Sequence, residues 1–131
     1  MKQRLSFGHL TLLDCNVVEV VVDAGIKVTL EMVEECDKFI ESHCLEDFGL
    51  LINRVNAYDF TYEAKLSIAS YANLKAIAFV YYSSSTLEAI NKLVKIRAHD
   101  VWNTNVFSGL NMGWQDAFHW LHQELSLTCE K

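Results

Sequence analysis

Two nearly unbroken apolar runs, Phe48–Asn53 (FGLLIN) and Ala76–Tyr82 (AIAFVYY), constrain the fold of this chain more than any other feature. A strand with water on one face alternates apolar and polar side chains, whereas a run without alternation belongs where a parallel strand is covered on both faces. Parallel neighbours need a crossover connection, usually a helix. The interval between the runs supplies one, because Thr61–Tyr71 reads as a short helix. The two runs therefore predict a central parallel pair with helices packed against it.

The flanking segments extend that core. Arg4–Leu13 alternates, with Leu5, Phe7, Leu10 and Leu12 inward; Asp14-Cys15-Asn16 has turn chemistry, Val17–Val22 is β-branched, and Asp23-Ala24-Gly25 ends it. Together these read as an opening β-hairpin. Thr29 is a candidate N-cap for a first helix running to about Cys44, with Met32, Val33, Cys36, Phe39, Ile40 and His43 at helical spacing. Ser85-Thr86-Leu87-Glu88 has the spacing of a capping box ahead of the stripe Leu87, Ile90, Leu93 and Val94. A short strand near Asn105–Phe107 precedes a last amphipathic helix, Gly113–Leu125. The order is β-β-α-β-α-β-α-β-α, an α/β fold with a mixed, mostly parallel sheet, expected as one domain over residues 1–131.

Composition narrows the function classes. The start, MKQRLSFGHL, lacks the continuous apolar stretch of a secretory signal, and no run approaches a membrane span, so a cytoplasmic protein without integral membrane contact is expected. Four cysteines (Cys15, Cys36, Cys44, Cys129) form no CxxC pair and read as small buried side chains rather than a disulfide framework. The net charge of -6 is localised, since Thr29–Asp47 holds seven acids against Lys38 alone. With no basic stripe to neutralise phosphates, nucleic acid is not an expected partner.

The element order, the length and the ending VFSGLNMGWQDAFHWL, a short strand followed by a helix carrying Ala117 and Trp120-Leu121, resemble small STAS and anti-anti-sigma proteins. More closely, they resemble the bacterial branch described as STAS/CRAL-TRIO-like. The resemblance implies a non-enzymatic regulatory or interaction module that docks a protein partner. It also implies a phosphorylatable Ser in an Asp-Ser-Ser/Thr-Gly type motif at the start of the helix after the first apolar run. Here that segment reads NAYDFTYEA, without that Ser or the Gly, and Thr61 is the nearest hydroxyl. Through its CRAL-TRIO side the resemblance implies an alternative, a carrier of a small apolar ligand or lipid.

Ligands of open α/β sheets sit beyond the carboxyl ends of the strands. Two segments lie there, so Asn53, Arg54, Asn56, Tyr58, Asp59, Thr61, Ser83 and Ser84 form the candidate binding rim. The structural alternative for each is local: Asn56 and Asp59 shape a turn, Thr61 or Asp59 caps a helix, and Arg54 pairs with a neighbouring acid. A flat rim suits a protein partner; a cavity of roughly 300 Å³ or more beside Tyr58, Tyr81 and Tyr82 suits a carrier. Asp116, His119 and His122 recur at three-residue spacing but on a polar helix face, so no metal site is assigned, and no cofactor motif is present. Cys36, His43 and Cys44 sit in the acidic first helix, which weakens a thiolate, and no catalytic set is assigned. Trp102, Trp114 and Trp120, with seven Phe and five Tyr, exceed the obvious core positions and are candidates for a pocket or a homodimer contact.

Overall fold

A computed structural model describes residues 1–100 and 102–129, the side chains of Cys15 and of 127–129 excepted. Its main sheet has six strands: β1 (Lys2–Leu5), β2 (Gly8–Leu13), β3 (Val17–Val22), β5 (Phe48–Asn53), β7 (Leu74–Tyr81) and β8 (Thr104–Ser108), in spatial order β1-β2-β3-β5-β7-β8. The first three are antiparallel, and β3, β5, β7 and β8 are parallel. A two-stranded parallel ribbon, β4 (Lys27–Val28) with β6 (Asp59–Phe60), stands apart from it. The helices are α1 (Leu30–His43), α2 (Tyr62–Ser67), α3 (Ser84–Ile96) and α4 (Gly113–Cys129).

The parallel strands step one place at a time across the sheet, so crossovers of a common hand deliver α1, α2 and α3 to the same face. The core divides accordingly. On that face Val18, Val20, Leu50, Ile77 and Phe79 meet Val33, Ile40, Ile90 and Leu93. On the other, Val17, Leu51, Ala76, Ala78 and Val80 meet Ala117, Leu121 and Leu125 of α4. Alanines at 76 and 78 and Gly49, whose added Cβ would lie 3.0 Å from Leu121 Cδ2, let α4 lie close over the sheet.

Three expectations change in detail. Arg4–Leu13 is not one strand: the chain reverses at Ser6-Phe7, adding a hairpin, and Phe7 is buried within that turn. Gly8 is required there, because a Cβ would lie 2.1 Å from the carbonyl oxygen of Val21. Second, α3 is capped by Ser83, whose hydroxyl accepts from Thr86 N at 3.2 Å; the Ser85–Glu88 spacing lies inside the helix, since four consecutive hydroxyl residues compete for the cap. Third, the second helix ends at Ser67, six residues after its Thr61 cap. Thr29 caps α1 as expected. Among the described residues no helix is long and apolar enough to cross a membrane.

Candidate functional site

The segment after β5 is a strap sewn onto the chain that follows β3. Gly25 N donates to Ala57 O (2.8 Å), Asp59 N to Ile26 O (3.1 Å) and Thr61 N to Val28 O (2.9 Å), while Asn56 Nδ2 donates to Val22 O (3.0 Å). The β4–β6 ribbon is the regular part of this seam. Gly25 turns the chain at φ +78, a conformation that glycine adopts without strain. The strap thereby closes the carboxyl end of the sheet on the α1–α3 side.

Because side chains alternate along a strand, Asn53 and Arg54 leave β5 on opposite faces. Asn53 faces α4, where its Nδ2 donates to Glu19 (3.1 Å), Trp114 Nε1 donates to the same carboxylate oxygen (2.8 Å), and Tyr82 donates to Asn53 Oδ1 (2.9 Å). This partly buried quartet pairs its own polar groups. Burial lifts the Tyr82 phenol above its ordinary value, with the Asn53 bond acting against the shift and Glu19 adding to it.

Arg54 turns the other way, into the core beneath α1 and α2, and is only 6% exposed. Its Nη2 donates to the carbonyl of Tyr58 (2.9 Å), and its guanidinium lies 4.2 Å from the centroid of the Tyr58 ring, a cation–π contact. Among the described residues no carboxylate lies within ion-pairing distance, and Nε is buried without a hydrogen-bond partner. The expected acidic neighbour is therefore replaced by an aromatic face and one carbonyl. Burial raises the Tyr58 phenol, and the charge of Arg54 works against that shift.

Arg54 lines a cavity of about 80 Å³ between the sheet and α1–α3 whose wall is almost wholly apolar. Tyr58 and Phe60 of the strap, Met32 and Cys36 of α1, and Tyr71 and Trp102 contribute to it. Leu50 and Ile77, which pair across β5 and β7, place its far part about 13 Å along β5 from Arg54 at the usual rise per strand residue. There Ala69, Tyr71, Ile77 and Trp102 also line an open, more polar groove of about 400 Å³. The cavity is smaller than the one expected of a carrier; Tyr58 lines it, and Tyr82 lies on the opposite face. Its void is below that of a drug-sized site and too small for a long acyl chain.

The other candidate residues are placed as follows. Thr61 caps α2, its hydroxyl accepting from Ala64 N (3.2 Å), and Asp59 accepts from Phe60 N (2.8 Å). Ser83 is the α3 cap and Ser84 the first, exposed residue of that helix. The structure thus brings Asn56, Tyr58, Asp59 and Thr61 into the strap with Arg54, and sets Asn53 apart with Glu19. Asp116, His119 and His122 are exposed, and among the described residues no three His, Cys, Asp or Glu side chains gather as metal ligands. Cys44 is buried; Cys36 is half-buried under Tyr71, and burial above all pushes its thiol up to about 12. Cys15 and Cys129 have side chains outside the described residues. The sequence reading missed Glu19, for which a lone Glu within VVEVVV was the available signal, and singled out Trp114 as a pocket or homodimer candidate without its bond to Glu19.

An α/β protein with an apolar cavity closed by a strap is the class that fold and site define. Compared with protein-family models, curated proteins and solved structures, the chain gives no match, so its class rests on its own geometry.

Proposed function

We propose that this protein is a non-catalytic binding module that takes a small, largely apolar molecule into the cavity between the sheet and α1–α3. The observation that carries this reading is the cavity itself, a void of about 80 Å³ whose wall is almost wholly apolar. Cavities lined by apolar groups stay dry and accept apolar guests; an engineered void of about 150 Å³ takes benzene. The strap, held to residues 22–28 by the hydrogen bonds named above and by the β4–β6 pairing, is the segment whose opening would admit a ligand at the Arg54 end.

The test is native mass spectrometry of freshly purified protein, never refolded, followed by denaturing extraction. A reproducible small adduct that leaves on denaturation is the expected result. Apo protein that also fails to take up butanol or butyrate from solution would remove the reading.

A second reading is the STAS-like interaction module suggested by the sequence resemblance, with a protein partner or a second copy docking on the strap. What favours it is the exposure of Val55, Tyr62 and Leu66, apolar side chains on the strap and α2. In that reading a phosphate on Thr61 would displace the α2 cap.

A further inference from the structure

The proposed ligand is apolar, yet the cavity holds one group that an apolar molecule cannot satisfy. Resting on the reading above, we infer that the cavity binds a short aliphatic monocarboxylate, its carboxylate seated on the guanidinium of Arg54 and its tail running along the sheet toward Tyr71 and Trp102.

A charge taken out of water is strongly disfavoured unless paired and hydrogen-bonded. The other buried arginine obeys that rule. Arg97, 5% exposed, donates from Nε to Asp100, from Nη1 to the carbonyls of Ile68 (2.5 Å) and Lys65 (3.2 Å), and from Nη2 to Ser70 Oγ (3.0 Å). It also stacks 4.3 Å from the Trp102 centroid. Arg54 is as buried but, among the described residues, has one carbonyl, the Tyr58 face, the Phe60 ring at 5.9 Å, no carboxylate, and a bare Nε. The strap nevertheless places this cation at a cavity wall.

The missing partner is an anion with few oxygens. A single guanidinium already committed at Nη2 matches one carboxylate, the planar acceptor arginine pairs with best. A phosphate dianion would want further donors, and among the described residues Arg54 is the one cationic side chain in the cavity wall. The apolar remainder of the wall selects a hydrocarbon tail. Volume sets its length: about 80 Å³ is roughly half of the roughly 150 Å³ void that holds six-carbon benzene, which allows about three to four carbons.

Isothermal titration with butyrate and 1-butanol, on the wild type and on Arg54→Met, tests this. Butyrate should bind the wild type roughly tenfold or more tightly than butanol, the range expected for a hydrogen bond to a charged group, and Arg54→Met should erase or reverse that ranking. If both compounds bind equally in both proteins, carboxylate recognition is overturned while the cavity reading stands. If neither binds, both fall. Inorganic phosphate that binds as well as butyrate, or competes with it, would make the site a general anion site and overturn the short-chain assignment. Should Arg54→Met fail to fold, Arg54→Lys serves instead: it keeps the charge but loses the fork, and a butyrate affinity equal to wild type would overturn the seating.

Discussion

Two buried arginines stand at opposite ends of the same helical face, and the structure treats them differently. Arg97 closes the end near Trp102: its hydrogen bonds reach the last turn of α2, the residues just beyond it and Asp100, so it ties α2 to the end of α3. Arg54 closes the other end with its guanidinium over Tyr58 and Nε unmet. Burial alone therefore does not distinguish a structural cation from a functional one. The count of satisfied donors separates the two arginines, because a charge kept inside without its partners lowers stability, and the carboxylate proposed above would supply the partner Arg54 lacks.

The comparison breaks most visibly by removing each cation in turn. Arg97→Met strands two carbonyls, Ser70 and Asp100, and should lower stability by about 3 kcal/mol, the lower end for a disrupted buried pair because Asp100 is half in water. Arg54→Met swaps an unpaired charge for a flexible apolar side chain of similar reach and should leave stability within about 1 kcal/mol of wild type, or raise it. Urea denaturation of both variants measures the difference. Equal losses would mean that Arg54 is as structural as Arg97 and would dissolve the contrast.

Much of the scaffold was legible in the sequence, and the contrast between the arginines was not. FGLLIN and AIAFVYY gave themselves away as parallel strands because burial on both faces removes alternation, and Thr29 announced its helix because its side chain acts locally. Local chemistry also explains the failures. In Ser83-Ser84-Ser85-Thr86 any hydroxyl can cap, and geometry set elsewhere chose Ser83. The two-residue strands of the ribbon are too short to carry a period. Asn53 and Arg54 were both singled out, and period two sends them to opposite faces. Which face held Glu19 and Trp114, and which held a cavity, depends on pairings across 34 and 95 residues that a single sequence does not display.

Dryness of the cavity wall gives the next largest effect. Cys36 has its thiol pushed up to about 12 from an ordinary 9.0, chiefly by burial, with the Tyr71 bond acting the other way and Asp37 adding to it. Tyr71, whose hydroxyl donates to Asp37 (2.6 Å), is raised for the same first reason. A raised thiol stays protonated in the folded state while the unfolded chain ionises. Stability is then fully present below pH 9 and is lost as pH rises from there toward 12. The slope for one such group is at most about 1.4 kcal/mol per pH unit. Urea midpoints between pH 7.5 and 10.5 should fall more steeply for the wild type than for Cys36→Ala. Parallel curves would show that water reaches the thiol and that the wall is wet.

The smallest effect is the sharpest on the void itself. Val33, buried on α1, lines the cavity. Val33→Ile adds one methyl group, and if that group enters empty space the gain approaches the roughly 0.8 kcal/mol of a buried methylene. If the space does not exist, overpacking lowers stability by about 1–3 kcal/mol instead. The same methyl group should weaken butyrate binding, since it occupies volume the tail needs, while leaving Arg54 and its carboxylate seat untouched. Stability and affinity should therefore move in opposite directions in Val33→Ile, a pairing that a merely structural role for the cavity would not produce. A variant more stable than wild type yet equally able to bind butyrate would place the ligand outside the void, and with it the reason for keeping Arg54 unpaired.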